Sequence, residues 1–187
     1  MDQLRERINF LKTFAADKNV AAVVASSRFV IQDVIKHVPD KIRTAIECGP
    51  GEGVMTRALL ERLHPEGTLL AIESNKEFVA VLQGIGDRRL RVAESNAQDM
   101  IAHARNNAAD APDIVLASIP FSFLKPSERV GFIRDAHAIL QPKGTCIIFH
   151  QYSPLMYRTM KKIFGNVSLS FEVRNFPPCF IITARKD

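Results

Sequence analysis

Apolar residues in this chain fall into two patterns: short unbroken runs, and stretches with helical spacing. The runs are Ile42–Cys48, Thr68–Ile72, Leu90–Ala93, Asp113–Ser118, Thr145–Phe149, Val167–Val173 and Phe180–Ala184, and each reads as a strand. Helical spacing appears in Leu4, Ile8, Leu11 and Ala15, with Phe10 and Phe14 widening the same face over residues 2–18. It recurs in Ile31, Val34, Ile35 and Val38, after Ser26 or Ser27 as N-cap and before Pro39 as a stop. Further helices are predicted from Val54, Ala58, Leu59 and Leu63, and before Asn106-Asn107. Two more follow from Val130, Ile133, Ala136 and Leu140, and from Leu155 to Phe164. Five strands alternating with helices predict a parallel sheet covered on both faces. Asp113–Ser118 is apolar almost throughout, which places it centrally. The link Asn175-Phe176-Pro177-Pro178 is too short for a parallel crossover, so the last pair is predicted antiparallel. The expected fold is α/β: a seven-stranded, mostly parallel sheet with an antiparallel last strand and an N-terminal helical extension.

At 187 residues the chain is expected to form one structural domain, with helices over 1–38 and the sheet domain over 39–187. Cys48, Cys146 and Cys179 have neither metal-ligand spacing nor a disulfide framework and read as small buried residues of a reducing compartment. No run is long and apolar enough to span a bilayer, and the first residues lack a signal peptide's apolar core. The expected location is therefore cytoplasmic. A net charge of +5 suits an anionic partner, either nucleic acid or an acidic membrane surface, without choosing between them. The helix over 2–18 carries Arg5, Arg7 and Lys12 around its apolar stripe. Leu4, Ile8, Leu11 and Phe14 could lie in a membrane interface, or the same stripe could cover the sheet or the mouth of a site.

The chemistry concentrates at Glu47-Cys48-Gly49-Pro50-Gly51-Glu52-Gly53. Strand, glycine turn, helix is the opening unit of a nucleotide-binding sheet, and glycine lets a ligand approach the backbone closely. Dinucleotide folds use G-x-G-x-x-G; the G-x-G-x-G here, with Glu47 at the strand end, resembles the first motif of S-adenosylmethionine (SAM) methyltransferases. That resemblance implies Gly49, Pro50, Gly51 and Gly53 around the methionine part of the cofactor, with Glu47 facing its ammonium. Glu73 ends the next strand 20 residues past Gly53, where an acid can accept from ribose hydroxyls; the alternative is a surface Glu. Ser74 follows it. Asn96 and Ala97 end the third strand, where related SAM enzymes carry an acid for the adenine amino group; the Asn96 amide can accept but also donate.

Across nearly its whole length the chain resembles the small soluble bacterial phospholipid N-methyltransferases, a branch of the Rossmann-like class I SAM-dependent methyltransferases. The residues that carry this are Phe10-Leu11-Lys12, Ala25-Ser26-Ser27-Arg28-Phe29, Glu47 through Leu60, Ala71-Ile72-Glu73-Ser74-Asn75, Ser118-Ile119-Pro120-Phe121, Leu140-Gln141-Pro142-Lys143-Gly144 and Pro177-Pro178. The resemblance implies SAM as cofactor and S-adenosylhomocysteine as product. It implies methylation of the phosphatidylethanolamine amine by a peripheral enzyme at an anionic membrane, a monomer, with the N-terminal helix helping to bind lipid. Ser27 joins the cofactor set and Arg28 the substrate set. The chain is also similar to the rRNA adenine dimethylases, whose four-residue acceptor motif begins with Asn where Ser118 stands here. They usually carry a helical RNA-binding domain after the sheet, where this sequence ends with its last strand. Both differences weigh against a nucleic-acid substrate.

Methyl transfer from a sulfonium mainly requires a neutral amine held in line and water kept out, so no metal is expected. The turn Ser118-Ile119-Pro120-Phe121 follows the fourth strand, where an acceptor should arrive. Ser118 can orient an amine, and Ile119, Pro120 and Phe121 would line its path. Phe121 could meet an ammonium by cation–π attraction or serve as a core aromatic. His150 and Tyr152, at the end of the fifth strand, are candidate proton acceptors, and a structural histidine is the plainer reading. Competing readings are an rRNA adenine N6-methyltransferase and a SAM-binding protein without turnover; the glycine spacing and final strand pair disfavour an NAD oxidoreductase.

Overall fold

The computed structural model describes residues 27–107, 111–151, 153–175 and 177–187. The helix expected over 2–18, with Leu4, Ile8, Leu11 and Phe14, lies outside the described residues, as do Ser26, Tyr152 and Phe176. Seven strands form one sheet: β1 (Ile42–Cys48), β2 (Leu63–Glu73), β3 (Leu90–Glu94), β4 (Ile114–Ala117), β5 (Thr145–Gln151), β6 (Val167–Glu172) and β7 (Cys179–Arg185). Their order is β3-β2-β1-β4-β5-β7-β6, with β4 in the middle as its apolar run requires. The β1, β2, β3, β4 and β5 pairings are parallel, whereas β7 runs antiparallel to both β5 and β6. The helices are α1 (Arg28–Ile35), α2 (Val54–Arg62), α3 (Lys76–Gln83), α4 (Met100–Asn107), α5 (Pro126–Ile139) and α6 (Tyr157–Phe164).

Alternation along the strands divides the core between the two faces. Ile46, Cys48, Val115, Ala117 and Ile148 point toward α4, α5 and α6, meeting Met100, Ile133, Ala136, Met160 and Phe164. Ala45, Leu69, Ile114, Leu116 and Ile147 point the other way, toward Val30 and Val34 of α1 and Met55, Leu59 and Leu60 of α2. Burying one such aliphatic side chain contributes roughly 1.5–3 kcal/mol before entropy is counted. All three cysteines are buried and unbridged.

Ser27 caps α1, accepting from Val30 N–H at 3.4 Å, and Asn75 caps α3, accepting from Glu77 N–H at 2.8 Å. One boundary differs from the sequence reading. β2 begins at Leu63 rather than Thr68, because α2 runs straight into extended chain. Leu63 pairs with Ile42, the register shifts, and regular pairing resumes at Thr44 with Thr68. His64-Pro65-Glu66-Gly67 has no strand pattern of its own, so the early start leaves no trace in the sequence.

Candidate cofactor and acceptor site

The carboxyl ends of β1, β2, β4 and β5 converge on one edge of the sheet, where α/β folds place their ligands. At the end of β1 the chain turns through Gly49, Gly51 and Gly53, all left-handed, at φ +75°, +56° and +79°. Side chains rarely adopt that conformation. The first and second glycines differ in what surrounds them. A Cβ on Gly49 would stand 2.7 Å from Ile119 Cγ2 and 2.9 Å from the Ser118 carbonyl oxygen, whereas one on Gly51 would meet nothing within 4 Å. Gly49 is glycine because the acceptor turn rests on it, and Gly51 faces open space.

Two acids serve this loop differently. Glu73 Oε2 accepts from Gly51 N–H at 3.0 Å, and Oε1 accepts from Ser74 and Asn75 N–H, each at 2.9 Å. It therefore shapes the glycine turn from the end of β2. Glu47, in β1, points to the face that α2 covers. It is 1% exposed, and its hydrogen bond is from Thr56 Oγ1 at 2.7 Å to Oε2. Burial raises its pKa to about 7, the Thr56 hydroxyl pulls the other way, and the Glu73 charge adds a small further rise. A buried carboxylate with one neutral partner suits an arriving cation, as the ammonium expected beside Glu47 would be. Thr56 is a partner of Glu47 that the sequence reading missed; a threonine one turn into an amphipathic helix reads as an ordinary helix position.

The third strand contributes little burial. Asn96 is exposed at the head of a 3₁₀ turn, Ala97–Asp99, while Ala97 is buried beneath it. Ser118 N–H donates to the Cys48 carbonyl at 2.9 Å, fastening the acceptor turn to β1. Ser118, Ile119 and Pro120 are half-buried. Phe121 is fully buried instead: a 3₁₀ turn over Phe121–Phe123 aims its ring edge-on at Phe132, 5.2 Å away. In this structure it is a core aromatic, the plainer of the two readings of the sequence.

His150 lies 6.5 Å from the Phe121 ring. Its Nδ1 is buried without a hydrogen-bond partner. Burial lowers its pKa, partly opposed by the backbone at Ser153 and Gln151. The ring is thereby neutral at physiological pH.

Ser27 and Arg28 reach the same edge through contacts the sequence does not announce. Asn175, buried in the β6–β7 link, accepts from Ser27 N–H at 3.0 Å and donates to the Pro177 carbonyl at 2.6 Å. The guanidinium carbons of Arg28 and Arg174 stand 4.8 and 4.3 Å from the Phe29 ring centroid. Arg174 also pairs with Glu172, its Nε 2.7 Å from Oε1, which holds that carboxyl down to about 2. These contacts bind the start of α1 to the last strands. They bring Ser27 and Arg28 to the ligand edge, with Asn175 as the second residue that sequence reading missed.

Among the described residues no helix is long and apolar enough to cross a membrane. No family model matches the chain. An ornithine lipid N-methyltransferase of Singulisphaera acidiphila is 28% identical over 174 residues, 89% of this chain and 88% of the relative. A ribosomal RNA small subunit methyltransferase A of Methylococcus capsulatus is 34% identical over 122 residues. That match takes in 60% of this chain and 45% of the relative, so the chain spans under half of the rRNA enzyme's length. Among solved structures, the N-methyltransferase NodS of Bradyrhizobium japonicum superposes with a TM-score of 0.68 at 11% identity, over 85% of this chain and 95% of the other. A precorrin-6y C5,15-methyltransferase of Geobacter metallireducens gives 0.67 at 14%, over 88% and 92%. The fold is thus the Rossmann-like class I methyltransferase fold. Both sides of the resemblance, to lipid N-methyltransferases and to rRNA adenine dimethylases, are present among the relatives.

Proposed function

We propose that this protein methylates the amine of a membrane aminolipid, phosphatidylethanolamine or a related lipid such as ornithine lipid, with SAM as methyl donor. The coarse class, a SAM-dependent methyltransferase, is supported by fold and relatives alike. The observation that carries the reading is the contact between Gly49 and the Ser118-Ile119 turn, which makes cofactor loop and acceptor turn one wall. The residues present fit the cofactor: Gly51 opens onto unfilled space, and Glu47 is a buried carboxylate with no cation paired to it among the described residues.

The bound cofactor would supply an electrophilic methyl group. Glu47 would hold its ammonium, Glu73 its ribose, and Gly49, Pro50, Gly51, Gly53, Ser74, Asn96, Ala97 and Ser27 the rest of its surface. Ser118 would orient the acceptor nitrogen through its hydroxyl or carbonyl, and Ile119 and Pro120 would keep water away. An amine resembles lysine in being mostly protonated at neutral pH, so it must shed a proton before it can attack. His150 would accept it, a reading supported by its neutral ring and unpartnered Nδ1, and Tyr152 is a second candidate. Arg28 would meet the lipid phosphate or carboxylate. Lipid is preferred to RNA because the lipid relative matches over nearly nine-tenths of both chains and the rRNA relative over less than half its length.

Labelled methyl transfer tests this, with phosphatidylethanolamine vesicles, ornithine lipid vesicles and rRNA offered separately. Label in either lipid is the expected result. Label in RNA alone would replace the lipid reading with base methylation. Label nowhere, with SAM bound, would remove the enzyme reading for these acceptors.

A further inference from the structure

Six large apolar side chains are exposed among the described residues, and three of them form one row. Leu169, Phe171 and Val173 are 43%, 51% and 65% exposed. Leu169 and Phe171 alternate along β6 and so share one side of the sheet, about 7 Å apart, and Val173 follows in the turn after it. β6 is an edge strand, and β7 is its pairing partner among the described residues. A row of this kind on an edge invites a partner.

Its surroundings choose the partner. The register pairs Leu169 with Ile182, whose side chain joins the core under α5 and α6, so the row lies on the α6 side. α6 packs against β6 and β7, and its exposed side chains are Arg158, Lys161 and Lys162. α6 holds no carboxylate. Glu172, the acid of β6, alternates to the opposite side and is paired with Arg174. An apolar ridge beside a purely cationic helix complements an anionic bilayer surface: apolar side chains enter the interface and cations meet headgroups.

The ridge also leads to the site. Phe171 pairs with Phe180, their rings 4.6 Å apart, and Phe180 pairs with His150. Paired residues of antiparallel strands project to the same side. Phe171, Phe180 and His150 therefore form a row across three strands, from the sheet edge to the imidazole whose Nδ1 is unpartnered. We infer that the ridge Leu169–Phe171–Val173, with the cations of α6, is a docking surface for an anionic phospholipid bilayer that delivers the lipid amine along this row to His150. The delivery half rests on the aminolipid reading; the docking half does not.

The experiment is flotation of the full chain with phosphatidylcholine vesicles, with and without phosphatidylglycerol. It compares wild type, Leu169→Ser/Val173→Ser and Lys161→Gln/Lys162→Gln. Wild type should bind the anionic vesicles. The serine pair should weaken binding at least tenfold, and the glutamine pair roughly 25-fold, at about fivefold per cation. Methyl transfer to a short-chain, water-soluble aminolipid should stay within threefold in both variants, with unchanged melting temperatures. Vesicle binding by both variants at the wild-type level would overturn the docking surface, as would a wild type that ignores anionic vesicles. So would a wild-type dimer that Leu169→Ser/Val173→Ser dissolves, since the edge would then belong to a second copy. If docking behaves as expected and no aminolipid is methylated, the aminolipid reading falls and the docking surface stands.

Discussion

Asp113 and Glu47 are acids at opposite ends of neighbouring parallel strands, and the structure treats them in opposite ways. Asp113 precedes β4 at the end away from the site. Its Oδ2 accepts from Arg43 N–H at 2.7 Å and Thr44 N–H at 2.9 Å, and Oδ1 accepts from the Gln141 side chain. Its own backbone donates to the Thr44 carbonyl and accepts from Thr145 N–H, both at 2.8 Å, stitching β1, β4 and β5 together. Glu47 is the more deeply buried and has one neutral donor, Thr56. A carboxylate offers about four acceptor positions. One end of the sheet uses its acid to finish the fold; the other leaves an acid unfinished, at a cost in stability that a cationic ligand can repay.

The sharpest way to break the contrast is Glu47→Gln. Losing one member of a buried charge pair should weaken SAM binding about 100-fold, read by calorimetry. The same change should stabilise the unliganded protein at pH 8. With a folded pKa of about 7 against an ordinary 4.5, Glu47 binds protons more tightly folded than unfolded. Its contribution therefore falls as pH rises from 4.5 to 7, by about 3 kcal/mol in all, and the glutamine removes that loss. A variant that bound SAM normally would take Glu47 out of the site.

At the other end, Asp113→Ala should cost about 2 kcal/mol in urea unfolding, because several backbone donors lose their acceptor. SAM affinity should stay within threefold. A large loss of affinity there would show that the two ends are not independent.

Titration sharpens the comparison without mutation. Ammonium binding needs ionised Glu47, so the affinity of wild type should fall about fivefold from pH 7 to pH 6, with little change above pH 8. In Glu47→Gln this dependence should vanish. The smallest stability effect expected is in Gly51→Ala, about 1 kcal/mol for a left-handed alanine with no clash. Its methyl group would occupy the open space, so cofactor affinity should suffer more than stability. Gly49→Ala, blocked by the Ser118 carbonyl, should show the reverse.

Strand runs, glycine turn and strand-end acids were legible because each is a local pattern: an unbroken apolar stretch, a spacing, a boundary. Glu47 could be named as a site residue from its place before Gly49. Its single hydrogen bond could not, because Thr56 becomes its partner only when α2 folds over β1. Asn175 and Ser27 are separated by most of the chain, and no spacing links them. Phe121 shows the converse: a phenylalanine after Ser-Ile-Pro reads as an acceptor contact, yet the 3₁₀ turn at Phe121–Phe123 rotates it into the core. The β2 start escaped because a helix passing directly into a strand leaves no turn residues to mark the change.

Strand order also dictates assembly order. β6 is made before β7 but reaches the sheet only through it. While β7 is still unpaired, β6 has no ladder, Asn175 has no fixed position from which to hold Ser27, and the row from Phe171 to His150 has no middle. The strands around the glycine turn are all earlier in the chain and pair among themselves, so a nascent chain can complete its cofactor half first. The β5–β7–β6 side closes only when β7 pairs, so the row from Phe171 to His150 is completed after the sheet around the glycine turn.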